Sequence, residues 1–224
     1  MSGITQNEAN PTLENEHEAA LALVVIGASA GGLEPLREII GSLNPDFPGA
    51  VVVAQHVAVN YLAQILALDA RVPVIVAGNG MLLRPGTVYV CPAQHHIAIG
   101  PDARIALSPR GHVNYFRPNA DWLFESAAAS FRERSIGVVL AGTMNDGARG
   151  ATCVRGAGGR IIVQDPETTA YRGMPSATIA TGEVDFVASP ARIGAMIATL
   201  VHGMDLDRCR QRWENPFIHE PLAS

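Results

Sequence analysis

The stretch that most constrains this chain is Val24-Val25-Ile26-Gly27-Ala28-Ser29-Ala30-Gly31-Gly32-Leu33. An apolar run ends abruptly in small residues, and a helical pattern follows at once. That combination reads as a buried strand, a tight turn and a helix start, with Ser29 at the apex. Gly27 and Gly31 flank the serine in a Gly-x-Ser-x-Gly pattern. A serine on a sharp strand-to-helix turn has its hydroxyl pushed out beyond the sheet, and the backbone N–H groups that follow point the same way. Those groups sit at the positive end of a helix and suit a developing oxyanion. Ser29 is therefore a candidate nucleophile.

The rest of the chain continues the strand–helix alternation. Residues 21–26 form the first strand and 32–40 the first helix, with Leu33, Leu36, Ile39 and Ile40 at helical spacing and Gly41 as its stop. Residues 50–55 make a second buried strand, and His56 stands at its carboxyl end. A helix around 60–70 and a short strand at 74–76 follow. The pattern predicts an α/β fold: a doubly wound, mostly parallel sheet, Rossmann-like, with helices on both faces. Ligands bind such sheets beyond the carboxyl ends of the strands, where Ser29 and His56 both fall. Short strands at 87–91, 96–99 and 104–107 predict an added antiparallel hairpin, the last two being joined through Gly100-Pro101-Asp102-Ala103. Residues 110–118 read as an irregular polar loop and 119–131 as a helix. A buried strand at 136–140 ends in Ala141-Gly142-Thr143-Met144-Asn145-Asp146-Gly147-Ala148. A helix to about Arg155, strands at 159–164 and 185–187, a short helix at 174–181 and a closing helix at 190–201 complete the core. Residues 1–20 read as a disordered polar lead, 21–203 as one domain and 204–224 as a tail.

Composition narrows the function. The chain has 224 residues, of which 48% are hydrophobic and 17% charged, enough for one sizeable core. A net charge of −5 gives no electrostatic support for nucleic-acid binding. No apolar run approaches the roughly 18–20 residues of a membrane span, and no signal-peptide pattern opens the chain. Cys91, Cys153 and Cys209 are scattered and odd in number, which suggests a reducing cytoplasm and no disulfide framework. The chain contains no lysine. A Schiff-base lysine, a Ser–Lys dyad and a phosphate-loop lysine are thereby excluded. His95 and His96 are adjacent on a strand and point to opposite faces, so the pair does not chelate one metal ion. Cys91 reads as a small core residue.

Three strand ends present Ser29, His56 and Asp146. A serine hydroxyl needs a base to attack a carbonyl at neutral pH, and histidine can serve because its pKa lies near 7. A buried carboxylate can then set the imidazole tautomer and stabilise its cation. Each residue also has an ordinary structural role open to it: a helix-start serine, a hydrogen-bonded core histidine, a helix-capping aspartate. Their joint position at three strand ends favours chemistry. The chain order Ser…His…Asp differs from the Ser…Asp/Glu…His of the α/β-hydrolases, so the geometry is reached on a different scaffold. A nucleotide-binding protein is the competing reading. It is disfavoured because the glycines do not follow Gly-x-Gly-x-x-Gly and Gln55-His56 ends the second strand where an acidic ribose ligand is expected.

Over residues 22–201 the sequence resembles the catalytic domain of the CheB-type chemotaxis protein-glutamate methylesterases. The matching pieces are Ile26-Gly27-Ala28-Ser29-Ala30-Gly31-Gly32, Gln55-His56, Arg117-Pro118 with Asp121 and Leu123-Phe124, Asn145-Asp146-Gly147-Ala148, Gln164-Asp165, and Gly173-Met174-Pro175. The resemblance implies hydrolysis of glutamate γ-methyl esters on cytoplasmic helices of chemoreceptors, releasing methanol, and deamidation of receptor glutamines, with no cofactor. It implies Ser29 as nucleophile, His56 as base and Asp146 as its orienting acid. Backbone N–H groups of Ala30 and Thr143 would be the oxyanion donors, with Met144, Asn145, Arg117 and Met174 as substrate-loop candidates. Two departures stand out: Ala30 replaces the family's usual threonine, and Met144 replaces a glycine, restricting φ beside the site. A catalytically weakened regulatory or binding module on the same fold is the second reading, motivated by the altered loop Ala141-Gly142-Thr143-Met144. The family's usual N-terminal receiver domain is not among these residues, so a separate receiver or signalling protein is an expected partner.

Overall fold

Every residue from Leu23 to Ala28 is buried, because this strand (β1) has a neighbour on each edge and helices over both faces. The computed structural model describes residues 19–56, 61–109, 111 and 116–214, with side chains described as far as residue 205. After β1 come α1 (Leu33–Gly41), β2 (Ala50–Gln55), α2 (Leu62–Ala67), β3 (Val74–Val76) and β4 (Thr87–Val90). A hairpin of β5 (His96–Ile99) and β6 (Ile105–Ser108) leads to α3 (Ala120–Phe131). The chain closes with β7 (Ser135–Val139), α4 (Ala148–Gly156), β8 (Arg160–Gln164), α5 (Gly173–Ile179), β9 (Phe186–Ala188) and α6 (Pro190–Glu214).

The main sheet has the order β3-β4-β2-β1-β7-β8-β9, and every neighbouring pair is parallel. Continuous apolar runs such as Leu23-Val24-Val25-Ile26 suit this role, since each face of the strand meets a helical layer. Val24, Ile26, Val51, Val53, Ile136 and Val138 pack against α1, α2 and α6. Leu23, Val25, Val52, Ala54, Ile161 and Val163 pack against α3, α4 and α5. The chain leaves β1 toward β2 on one side and later returns to fill the other side with β7. The carboxyl ends of β1, β2 and β7 therefore surround a topological switch point, where a crevice opens between diverging loops. Among the described residues no helix is long and apolar enough to cross a membrane.

The structure adjusts several boundaries. β1 runs on through Gly27 and Ala28, two residues past the predicted end, because both still pair with β2. The hairpin is a two-stranded sheet of its own, antiparallel in register His96↔Ser108, and it does not extend the main sheet. It seats on α3, where Ser126 Oγ accepts from Ile99 N at 3.0 Å and Ser130 Oγ donates to Ile99 O at 2.9 Å. The closing helix does not stop near Val201; α6 continues to Glu214, through half of the predicted tail. Met204, past the predicted end, still packs against the core. The helix predicted around 60–70 is shorter, Leu62–Ala67. The predicted lead at 1–20 lies outside the described residues except for Ala19 and Ala20, as does most of the polar loop 110–118.

Phe124 of α3 joins the two halves of this face. Its ring lies 3.1 Å from where a Cβ on Gly137 would stand and in van der Waals contact with the Gly27 position, and its Cβ lies 2.5 Å from where a Cβ on Gly150 would be. Phe124→Ala should cost about 3–5 kcal/mol, the usual loss for an aromatic whose cavity cannot collapse. Urea unfolding measures it; a loss below about 1 kcal/mol would contradict this packing.

Candidate active site

The site grows from the turn after β1. Gly31 holds φ +76°, a left-handed conformation, and the Tyr171 ring lies 2.5 Å from where its Cβ would be. A larger residue there fails on both counts. The turn is closed by Gly32 N donating to Ser29 O at 3.0 Å, and Ser29 N donates to Ala141 O at 2.9 Å beyond β7. Ala141 N in turn donates to Gln164 Oε1 at 2.9 Å, so the end of β8 braces the loop that braces Ser29. Gly142 lies beside the serine: a Cβ on it would meet Met174 Sδ and would stand 2.9 Å from Ser29 Cβ. Among the described residues, the N–H groups of Ala30 and Thr143 donate to no backbone carbonyl. Ala30 and its neighbours precede α1, whose dipole leaves positive potential there.

β2 supplies the imidazole. Its register pairs Ala28 with Gln55, and His56 N donates to Ala28 O at 3.0 Å, so Ser29 and His56 are the next positions on adjacent strands. Side-chain alternation sends both toward the α3 face. His56 Nε2 bonds Asp146 Oδ2 at 2.7 Å, and the two side chains are 11% and 0% exposed. The carboxylate accepts, so Nε2 carries the proton. The lone pair is then on Nδ1, which is buried and has no hydrogen-bond partner among the described residues. The ring therefore presents Nδ1 to its surroundings and Nε2 to the acid, the reverse of the arrangement in which Nδ1 faces the aspartate. Phe116 stacks on the imidazole at 4.6 Å between ring centres and an interplanar angle of 16°.

Asp146 is held from several sides. Oδ2 also accepts from Ala120 N at 2.7 Å, while Oδ1 accepts from Asn119 Nδ2 at 3.1 Å, Asp121 N at 3.0 Å and Gly147 N at 3.1 Å. Two of these donors are unpaired N–H groups of the first turn of α3, whose dipole favours the negative charge. Asn119 caps the same helix by accepting from Trp122 N at 2.8 Å. Asp121, also buried, accepts from Gly147 N at 2.9 Å and Gly150 N at 2.8 Å. Burial pushes the Asp121 carboxyl above the usual carboxylate range, and the nearby Asp146 charge adds to that.

Other sequence candidates are placed as follows. Thr143, Met144 and Asn145 are exposed on the loop between β7 and Asp146, and Arg117 is half-buried just before α3. Met174, expected on a substrate loop, is fully buried and supports Gly142 and Gly27 from beneath, so it cannot touch a bound chain. Cys91 is half-buried with its thiol pushed up to about 12 by burial, which leaves no reactive thiolate. His95 Nδ1 bonds Ala93 O and His96 Nε2 bonds Gly111 O, two separate local contacts. Phe116, Asn119 and Tyr171 were not anticipated. Only Asn119 carried a signal, as a capping residue ahead of Ala120-Asp121.

Residues 24–197 match the family model described as CheB methylesterase. The chain is 36% identical over 186 residues to the protein-glutamate methylesterase/protein-glutamine glutaminase of group 3 operon of Rhizobium meliloti, covering 82% of this chain and 52% of that one. It is 35% identical over 178 residues to the protein-glutamate methylesterase FrzG of Myxococcus xanthus, covering 78% and 53%. The crystal structure of the Thermotoga maritima CheB methylesterase catalytic domain superposes with a TM-score of 0.76 at 32% identity, over 80% of this chain and 98% of that one. The chain thus spans about half the length of these curated relatives.

Met144 takes φ +64°, a conformation that favours glycine, and it is 57% exposed. A non-glycine residue in this region costs about 1–2 kcal/mol, and little packing offsets it here. Met144→Gly should leave stability unchanged or raise it by up to about 1 kcal/mol, the gain being reduced by glycine's larger unfolded-state entropy. Met144→Ile should lower it by about 1–2 kcal/mol, since β-branching worsens the strain. Chemical denaturation midpoints of the three chains test the order.

Proposed function

Because this chain belongs to the CheB methylesterase family, we propose that it hydrolyses glutamate γ-methyl esters on the cytoplasmic helices of chemoreceptors, releasing methanol. The observation that carries this reading is the His56 Nε2–Asp146 Oδ2 bond of 2.7 Å, one residue beyond the register pair that brings Ser29 alongside. In the proposed cycle, Ser29 Oγ attacks the ester carbonyl and His56 Nδ1 takes its proton. Asp146 holds the Nε2–H tautomer and stabilises the imidazolium. The tetrahedral oxyanion is met by the N–H groups of Ala30 and Thr143, preorganised donors that need not reorient. Collapse expels methoxide, which leaves as methanol with the proton from His56. Water, activated by the same imidazole, then attacks the acyl-serine and releases glutamate. Neither half needs a cofactor.

The same steps on a glutamine amide expel ammonia, and several relatives are named for both activities. Thr143, Met144 and Asn145 are exposed between the serine turn and Asp146, and they offer the contact surface for a substrate helix, with Arg117 at its edge. Such a substrate places the chain in the cytoplasm, with a receiver or signalling protein as the expected controller.

Methanol release from a methylated receptor fragment tests the reading. Ser29→Ala and His56→Gln should each lower kcat/KM by about 10³-fold or more with the fold kept, as judged by circular dichroism. Asp146→Asn should cost less, since an orienting acid contributes less than nucleophile or base in a comparable triad. Turnover in Ser29→Ala near that of the wild-type chain would remove the serine from its role.

A further inference from the structure

The starts of α3 and α4 face each other across the site, and each is capped by a carboxylate belonging to the other. Asp146, just ahead of α4, takes the N–H groups of Ala120 and Asp121 at the start of α3. Asp121, in the first turn of α3, takes Gly147 N at 2.9 Å and Gly150 N at 2.8 Å at the start of α4. Both of the latter bonds end on one oxygen, Oδ1. Oδ2 faces the Arg149 Nε at 3.9 Å, and Arg149 is itself bonded to Glu125 at 2.7 Å. The helices approach closely enough that a Cβ on Gly150 would lie 3.0 Å from the Asp121 backbone. Loss of the Asp146 carboxylate would orphan N–H donors of α3, and loss of the Asp121 carboxylate would orphan Gly150 N, while Gly147 N would keep its 3.1 Å bond to Asp146 Oδ1.

We infer that Asp121 is a positioning residue for the hydrolysis: by gripping Gly147 and Gly150 through Oδ1, it locks the peptide next to Asp146 and so keeps that carboxylate on His56 Nε2. This rests on the functional reading above. Asp121 touches neither His56 nor Ser29, and it acts through the chain. The N–H that Asp121 holds belongs to the residue immediately after Asp146. Without that grip the 146–147 turn keeps the bonds Asp146 makes itself and the backbone bonds from Ala148 N to Asn145 O and Ala151 N to Gly147 O, but it loses the tie that Asp121 makes to Gly147 and Gly150. Small displacements of a catalytic group are expensive; about 1 Å can cost 10²-fold in rate. The raised proton affinity of Asp121 fits the same picture, since Oδ1 accepts both bonds whether or not Oδ2 carries a proton.

The test compares Asp121→Ala and Asp121→Asn with the wild-type chain. Asparagine keeps an acceptor oxygen in place, and alanine removes it. In methanol release, Asp121→Ala should lose about 10- to 100-fold in kcat with KM within about twofold, while Asp121→Asn stays within about threefold in kcat. If Asp121→Ala does not fold, Asp121→Leu takes its place, filling similar space without an acceptor. Unchanged kcat in the folded variant lacking the acceptor, with only a lower unfolding midpoint, overturns the inference. So does an equal loss in both variants. A second readout needs no substrate: the proton NMR signal of His56 Nε2–H. It should lie far downfield in the wild-type and Asp121→Asn chains and be lost or moved upfield in Asp121→Ala. If that pattern holds while the wild-type chain releases no methanol, the hydrolase reading fails and the positioning role stands. An identical signal in all three chains ends the positioning role whatever the assay gives.

Discussion

A carboxylate with no exposure to water has to be surrounded by donors, and Asp146 is. Burying an ion without partners costs several kcal/mol even after relaxation, so its environment is a condition of folding. Two backbone N–H groups at the start of α3, the amide of Asn119, the following peptide and the imidazole of His56 meet this condition together. These groups come from the β2 end, the α3 start and the loop after β7. Folding the domain therefore assembles the acid–imidazole pair as a by-product of satisfying one charge. The imidazole tautomer follows from the same fact, because an acceptor-only carboxylate makes Nε2 the donor and leaves the lone pair on Nδ1.

The serine is positioned by different physics. Among the described residues no side-chain hydrogen bond aims it; the backbone does. A left-handed Gly31, the bond from Ser29 N to Ala141 O, and the Gln164 brace behind Ala141 set the turn between two loops. Buried Met174 fills the space beneath, and Gly142 is small because Met174 and Ser29 leave no room for a side chain. The mouth of the site, by contrast, is exposed at Thr143, Met144 and Asn145. A buried floor thus lies beneath a solvent-facing rim.

Much of this was legible before any coordinates. The parallel sheet followed from strands alternating with helices, and the serine turn from the sudden change from an apolar run to small residues. The boundaries that slipped have local causes. Gly27 and Ala28 look like turn residues, yet they pair because Ala28 O still has His56 N to accept from. The length of α6 was missed because the polar residues after Val201 give no core-facing period, although the backbone continues as helix. Met174 entered as a substrate-loop candidate through the resemblance at Gly173-Met174-Pro175; its complete burial follows methionine's preference for the core. Phe116 and Tyr171 gave no warning, since an aromatic in a polar loop has no periodicity to betray what it covers.

By itself, the sequence determined which residues end buried strands, which turn carries a hydroxyl and which chemical groups are available, because these depend on local pattern and composition. Only the tertiary structure decided that His56 offers Nδ1, that Asp146 caps α3 and that Asp121 caps α4. Those relations join residues dozens of positions apart, and they arise because two helix starts packed face to face must exchange acceptors for donors that neither can satisfy alone.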